Sequence, residues 1–202
     1  MTDYNPFRGL PPSERKLRRK LGAAMMTFVE QITKMAIDDV ATREPGAPPL
    51  INFDEPMLRH ITEVYRQAVE EAAAQGIESA LPWHTLAMWT EEGKERIGYF
   101  ARALECVESG WDNHLMPRNA NREWTDTHMR ADCLFEIGRV HAQEGEPTVA
   151  REFLLRALPL AQEAELMAIA ARISCEDRLE GRIAELLVQL PDDGEKSSEP
   201  HG

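Results

Sequence analysis

The 202 residues include 23 basic and 35 acidic side chains, a formal net charge of −12, and 43% of them are hydrophobic. This is the composition of a folded globular chain of one domain, and its acidity argues against phosphate backbones and anionic lipid as partners. No segment approaches the roughly 18 consecutive apolar residues of a membrane span. The three cysteines are far apart and form no CxxC spacing, which favours a reducing cytoplasm over a disulfide framework or a zinc site.

Positive charge is concentrated at the start of the chain, because residues 1–22 hold six basic and two acidic side chains. Five of the basic ones surround Leu17 and form what we call the basic arm: Arg15, Lys16, Arg18, Arg19 and Lys20. One interpretation is an arm that binds nucleic acid or acidic lipid. The other is a solvated helix end, or one that packs on the chain's own acidic body. We favour the second, because runs of charge are usually solvated.

Apolar residues recur at steps of three and four from Leu17 to Val40, which predicts a long amphipathic first helix that ends before Pro45. The same spacing predicts helices over 54–75, 79–89, 90–109, 125–144, 147–162, 163–175 and 177–190. No segment shows the sustained alternation of a half-buried strand, so the predicted fold class is all-α. We expect a flexible N-terminus over 1–12, one domain over 13–190 with an irregular insertion at 110–124, and a disordered tail over 191–202.

Small and large apolar residues alternate in a characteristic order between 131 and 162: Leu134, Ile137 and Gly138, then Gly145, then Ala150, Leu154 and Ala157. This order resembles a tetratricopeptide repeat, a two-helix unit of about 34 residues. The resemblance covers about a sixth of the chain, and His141 stands where that family usually has a large aromatic or aliphatic side chain. It implies antiparallel helix pairs stacked as a short solenoid after the long N-terminal helix. Another irregular α-helical bundle is the alternative.

Several aromatic residues are candidates for a partner-binding groove, which in repeats of this type lies on the concave face. The set comprises Tyr65, Trp83, Trp89, Tyr99, Phe100 and His141. Such side chains are enriched at the centres of interfaces. At helical spacing they are more often part of a core, so both interpretations stay open.

The sequence contains none of the usual signals of catalysis or cofactor binding. GxGxxG, GxxxxGK[ST], GxSxG and HExxH are absent, and the His128–Asp132 pair, one helical turn apart, is a spacing common by chance. Paired acidic residues along the helices diverge into solvent and do not converge in a pocket. We therefore expect no catalytic residues, no metal and no cofactor.

These observations together predict a non-catalytic protein-binding module in the cytoplasm. Its acidic helical groove would receive a basic or amphipathic segment of another protein, as adaptors, effector chaperones and toxin-neutralising immunity proteins do. The exposed side of the last helices could also support a homodimer. The alternatives are a nucleic-acid-associated regulator that uses the basic arm, and an enzyme or metal-binding helical protein without a recognised motif.

Overall fold

A computed structural model describes residues 12–42, 56–91, 93–109, 122–171 and 178–191, the side chains of 38–42 and 122 excepted. Every regular element in these ranges is a helix and none is a strand, which confirms the predicted all-α fold class. In chain order the helices are α1 (Pro12–Thr42), α2 (Pro56–Ala74), α3 (Ala80–Met88), α4 (Lys94–Glu108), α5 (Arg122–Gln143), α6 (Pro147–Ala171) and α7 (Leu179–Gln189). None of these seven helices is long and apolar enough to cross a membrane.

The chain divides into two compact units, one containing α1 to α3 and the other α4 to α7. The sequence predicted one domain over 13–190. Helical periodicity shows which face of each helix is apolar, but the grouping of helices depends on contacts between residues far apart in the chain, which periodicity does not contain.

In the first unit, α1 and α2 are antiparallel and share an aromatic core. Lys20, near the start of α1, contacts the carboxylate of Glu71, near the end of α2. Halfway along, the rings of Phe28 and Tyr65 stack with centroids 4.9 Å apart. Trp89, just after α3, meets Phe28 edge-on at 5.8 Å. The core of this unit is therefore built around Phe28, which α1 supplies to the other two helices.

In the second unit, α5 and α6 form an antiparallel hairpin around a close backbone approach. A Cβ atom added to Gly138 would lie 3.1 Å from the carbonyl oxygen of Ala150 and 3.0 Å from Cγ of Leu154. The connecting turn contains Gly145 at φ +76°, a conformation that glycine adopts without the strain of a side chain. Three of the residues that carry the repeat resemblance, Gly138, Ala150 and Leu154, thus form a close contact of this hairpin.

Helices α4 and α7 pack against this hairpin and are joined to it by polar contacts. The carboxylate of Glu136 on α5 is buried and accepts hydrogen bonds from Arg96 of α4 at 3.3 Å and from Arg182 of α7 at 3.4 Å. Arg182 also lies over the ring of Phe135, with 4.5 Å to its centroid. One acidic side chain therefore connects three helices.

The predicted helices agree with the structure except around α5 and α6. Residues 147–162 and 163–175 were predicted as two helices, but α6 is continuous from Pro147 to Ala171. The helix continues through Pro159 and through the predicted break, and its buried alanines lie on both sides of that break: Ala150, Ala157, Ala161, Ala164 and Ala168. The irregular insertion was predicted to reach 124, but α5 already begins at Arg122. The rest of that insertion, residues 1–11 and residues 192–202 lie outside the described part of the chain.

Candidate functional site

The six predicted groove residues are divided between the two units. Tyr65, Trp83 and Trp89 belong to the first unit, and Tyr99, Phe100 and His141 to the second. Tyr65, Trp83 and Phe100 are buried, which favours their role as core residues. Tyr65 donates a hydrogen bond to the carbonyl of Pro82 at 3.3 Å, and burial raises the pKa of its hydroxyl above the ordinary value.

Tyr99 and His141 are held by neighbouring side chains of the second unit. The hydroxyl of Tyr99 donates to Glu95, one turn earlier, at 2.9 Å. His141 Nδ1 lies 2.6 Å from the carboxylate of Glu146, across the turn of the α5–α6 hairpin, and its ring stacks on that of Phe153. These contacts give His141 a structural role at the position where tetratricopeptide repeats usually have a large apolar residue.

The basic arm contacts acidic residues of the chain itself. Arg18 is buried and donates two hydrogen bonds, at 3.0 and 2.7 Å, to Glu14 one turn earlier. Lys20 contacts Glu71 of α2. Two of the five cations are therefore paired within the first unit, Arg18 within α1 and Lys20 with α2.

A small cleft lies in the second unit between the start of α5, the middle of α6 and the start of α7. Its volume is about 30 Å³, and its lining includes Trp124, His128, Glu165 and Glu180. His128 stacks on Trp124 with centroids 5.3 Å apart. The cleft is about a tenth of the volume of about 300 Å³ or more that small-molecule sites usually offer.

No three His, Cys, Asp or Glu side chains of the described residues lie together as a metal ion would require. His128 and Asp132 belong to no such group. Cys133 is completely buried, and burial raises the pKa of its thiol well above the ordinary value. A thiol held in its neutral form is a poor nucleophile.

The most distinctive surface of the second unit is an apolar stripe on α6. Leu155, Leu166 and Ile169 are 56%, 70% and 66% exposed, and Pro159 is exposed between them. Steps of four, seven and three residues return to the same side of a helix. The opposite side of α6 carries the alanines that pack on α5. We call Leu155, Pro159, Leu166 and Ile169 the α6 stripe.

The two flanks of the α6 stripe differ. On one flank α7 runs antiparallel to α6, because Arg151 donates to the carbonyl of Leu190 at 3.3 Å and Gln162 donates to Glu180 at 2.8 Å. On the other flank Arg156 and Glu163 are exposed. The guanidinium of Arg156 lies over the ring of Phe153, 5.4 Å from its centroid. The stripe is therefore bordered by a helix on one side and by charged side chains on the other.

The sequence analysis missed this surface, because splitting α6 after Gln162 separated Leu155 and Pro159 from Leu166 and Ile169. The signal was present as steps of four and three through 155, 159, 162, 166 and 169, the spacing of a helix–helix seam.

Searches against protein-family models, curated proteins and solved structures found no match to this chain. The function is therefore argued from the surface itself.

Proposed function

We propose that this chain is a non-catalytic protein-binding module whose α6 stripe receives an amphipathic helix of a partner protein. The observation that carries this proposal is the exposure of Leu155, Leu166 and Ile169 on the side of α6 opposite its buried alanines. Contiguous apolar side chains exposed on one face of a helix mark interaction sites.

The chemistry of the surface describes the partner. An amphipathic helix laid along the stripe would place its own apolar residues at steps of three and four against Leu155 and Leu166. Glu152 and Glu163 are exposed close to the stripe, so a partner with basic residues beside its apolar face would be favoured. This is the basic or amphipathic partner that the acidity of the chain led us to expect.

The packing of the second unit supports the further proposal of a tetratricopeptide-like stack. The α5–α6 hairpin closes on Gly138, α4 packs on α5, and α7 packs on both helices of the hairpin. Adaptors, effector chaperones and toxin-neutralising immunity proteins share this use of a helical surface. The cysteine usage supports action in the cytoplasm.

The test is affinity capture with the tagged full-length chain from its native lysate, at low and moderate salt. A stoichiometric protein should be captured by the natural chain and lost with Leu155→Asp or Leu166→Asp. The matched control is Val188→Asp. Val188 is 86% exposed and lies on the far side of α7 from the buried Leu179 and Ile183. Capture that survives both stripe variants would rule out the α6 stripe as the binding surface.

A further inference from the structure

We propose that the α6 stripe binds the α6 stripe of a second copy of this chain, with the two helices antiparallel. This inference rests on the proposed function, since it names a partner for the same surface. A second copy meets the description of that partner, because its own α6 presents an exposed apolar stripe with Arg156 beside it.

The spacing of the stripe suits a helix–helix seam. Positions 155, 159, 162, 166 and 169 follow one another at steps of four and three, the pattern with which two helices interdigitate in a coiled coil. Four of these positions form the stripe, and the fifth, Gln162, stands at its α7 edge, where it donates to Glu180 at 2.8 Å. When two copies are antiparallel around the middle of α6, Leu155 of one copy faces Leu166 of the other. Each copy therefore covers the most exposed leucines of its partner.

The charges of the open flank favour the antiparallel orientation. Antiparallel two-fold symmetry brings the same flank of both helices together, so Arg156 of each copy lies beside Glu163 of the other. Two ion pairs of opposite charge form in this way, at the edge of the seam where such pairs set the orientation of partners. A parallel pair would bring the open flank against the flank occupied by α7, and these ion pairs would not form.

The size of the surface determines the strength of association. From Leu155 to Ile169 the stripe is about 21 Å long, at roughly 1.5 Å per residue. A single helix pair of this length lies at the low end of specific interfaces in buried area, which is the range of weak and transient complexes. We therefore expect a monomer–dimer equilibrium that responds to concentration.

Sedimentation velocity of the full-length chain tests the proposal, from low micromolar concentration to about 0.2 mM, where weak interfaces associate. The average mass should rise from that of one chain toward that of two. Leu166→Asp should abolish the rise because it places a charge in the seam, and Val188→Asp should leave it unchanged. A chain that stays monomeric throughout, or that dimerises equally well with Leu166→Asp, would overturn the proposal.

Charge reversal tests the orientation. Arg156→Glu and Glu163→Arg should each lower the association constant about tenfold, because each converts two attractions into two repulsions. The double variant R156E/E163R should restore association, and failure to do so would overturn the antiparallel pairing. The two proposals also separate. If the chain is monomeric but Leu166→Asp abolishes the capture of another protein, the proposed binding function is supported and the proposed self-association is wrong.

Discussion

Gly138 is the residue on which the α5–α6 hairpin depends most directly. A methyl group there would lie within about 3 Å of a backbone oxygen and of a leucine side chain that is completely buried. Because the backbone of α6 cannot move away without disturbing its own packing, Gly138→Ala should destabilise the second unit by about 1 to 3 kcal/mol, the usual cost of overpacking. Urea denaturation followed by circular dichroism measures this loss.

The matched control is Gly98→Ala on α4, which is also a glycine within a helix but has no atom within 4 Å of an added Cβ. There the higher helix propensity of alanine should stabilise the chain by roughly 0.5 to 1 kcal/mol. Opposite signs for the two substitutions would show that the close approach at Gly138 decides the effect. A stabilising Gly138→Ala would contradict the packing described for the hairpin.

Tyr65 should make the first unit sensitive to alkaline pH. Burial raises the pKa of its hydroxyl above the ordinary value of 10.0, so the folded chain holds the proton more tightly than the unfolded chain. By linkage, the stability from this group is fully present below pH 10 and is lost as pH rises from there toward the raised pKa. Tyr65→Phe should therefore weaken the decline in the free energy of unfolding above pH 10.

Chemical denaturation of the natural chain and of Tyr65→Phe from pH 8 to pH 11 measures how the free energy of unfolding of each declines. At pH 8 the variant should lose only about 0.5 to 1.5 kcal/mol, the worth of one hydrogen bond, here that to the carbonyl of Pro82. Burial also raises the pKa of the Cys133 thiol above its ordinary value of 9.0, so the free energy of unfolding declines above pH 9 for this reason too. This decline is common to the natural chain and to Tyr65→Phe, so it does not affect the comparison. Identical curves above pH 10 would contradict a buried Tyr65.

At the scale of elements, Glu136 holds α4, α5 and α7 together. Arg96 is buried beside it, and Arg139 donates to the same carboxylate at 2.9 Å. Glu136→Ala would leave a buried guanidinium without this carboxylate, so we expect a loss of about 3 to 5 kcal/mol, typical of a broken buried ion pair. Equilibrium denaturation in urea would measure it.

The control for Glu136 is Glu105, which pairs with Arg102 at 2.7 Å on the exposed surface of α4. Glu105→Ala should cost less than about 1 kcal/mol, since exposed ion pairs are screened by water. If both substitutions proved equally mild, the carboxylate of Glu136 would not be the connection between these helices.

The positions of the helices could be predicted from the sequence, because apolar spacing and glycine positions are local properties. The helix predicted over 54–75 ends before Gly76, which has φ +73°, and the N–H of Ile77 donates to the carbonyl of Ala72 at 2.9 Å, as in a Schellman cap. The length of α6 was not predicted. A break was predicted after Gln162, whereas the continuous packing of its alanines on α5 keeps the helix intact.

At the scale of the whole molecule, the candidate site could not be predicted from residue types. Aromatic residues suggested a groove, but Tyr65 and Phe100 are buried in different units. Which aromatic residue enters a core depends on contacts between distant residues. The α6 stripe consists of ordinary aliphatic residues, and its significance appears only once α5 and α7 are seen to cover other sides of the same helix.

The distribution of charge over the whole chain predicts that it does not bind duplex DNA at physiological salt. The net charge is −12, and within the basic arm Arg18 is paired with Glu14 and Lys20 with Glu71. Binding to a phosphate backbone requires cations that can displace counterions, and its affinity falls steeply with salt. The measurement is fluorescence anisotropy of a labelled duplex at about 50 and 150 mM salt. It should show no binding at the higher salt concentration.

The triple substitution of Arg15, Arg18 and Arg19 by alanine should leave the anisotropy unchanged, because a surface that does not bind DNA has no affinity to lose. Glu71→Ala is the informative counterpart, since it removes the carboxylate that Lys20 contacts and reduces the acidity of the neighbouring helix. If Glu71→Ala created weak, salt-sensitive binding, the arm would be basic enough to bind DNA but neutralised by its own unit. Salt-dependent binding by the unmodified chain, lost in the triple variant, would instead favour the nucleic-acid regulator over the protein-binding module.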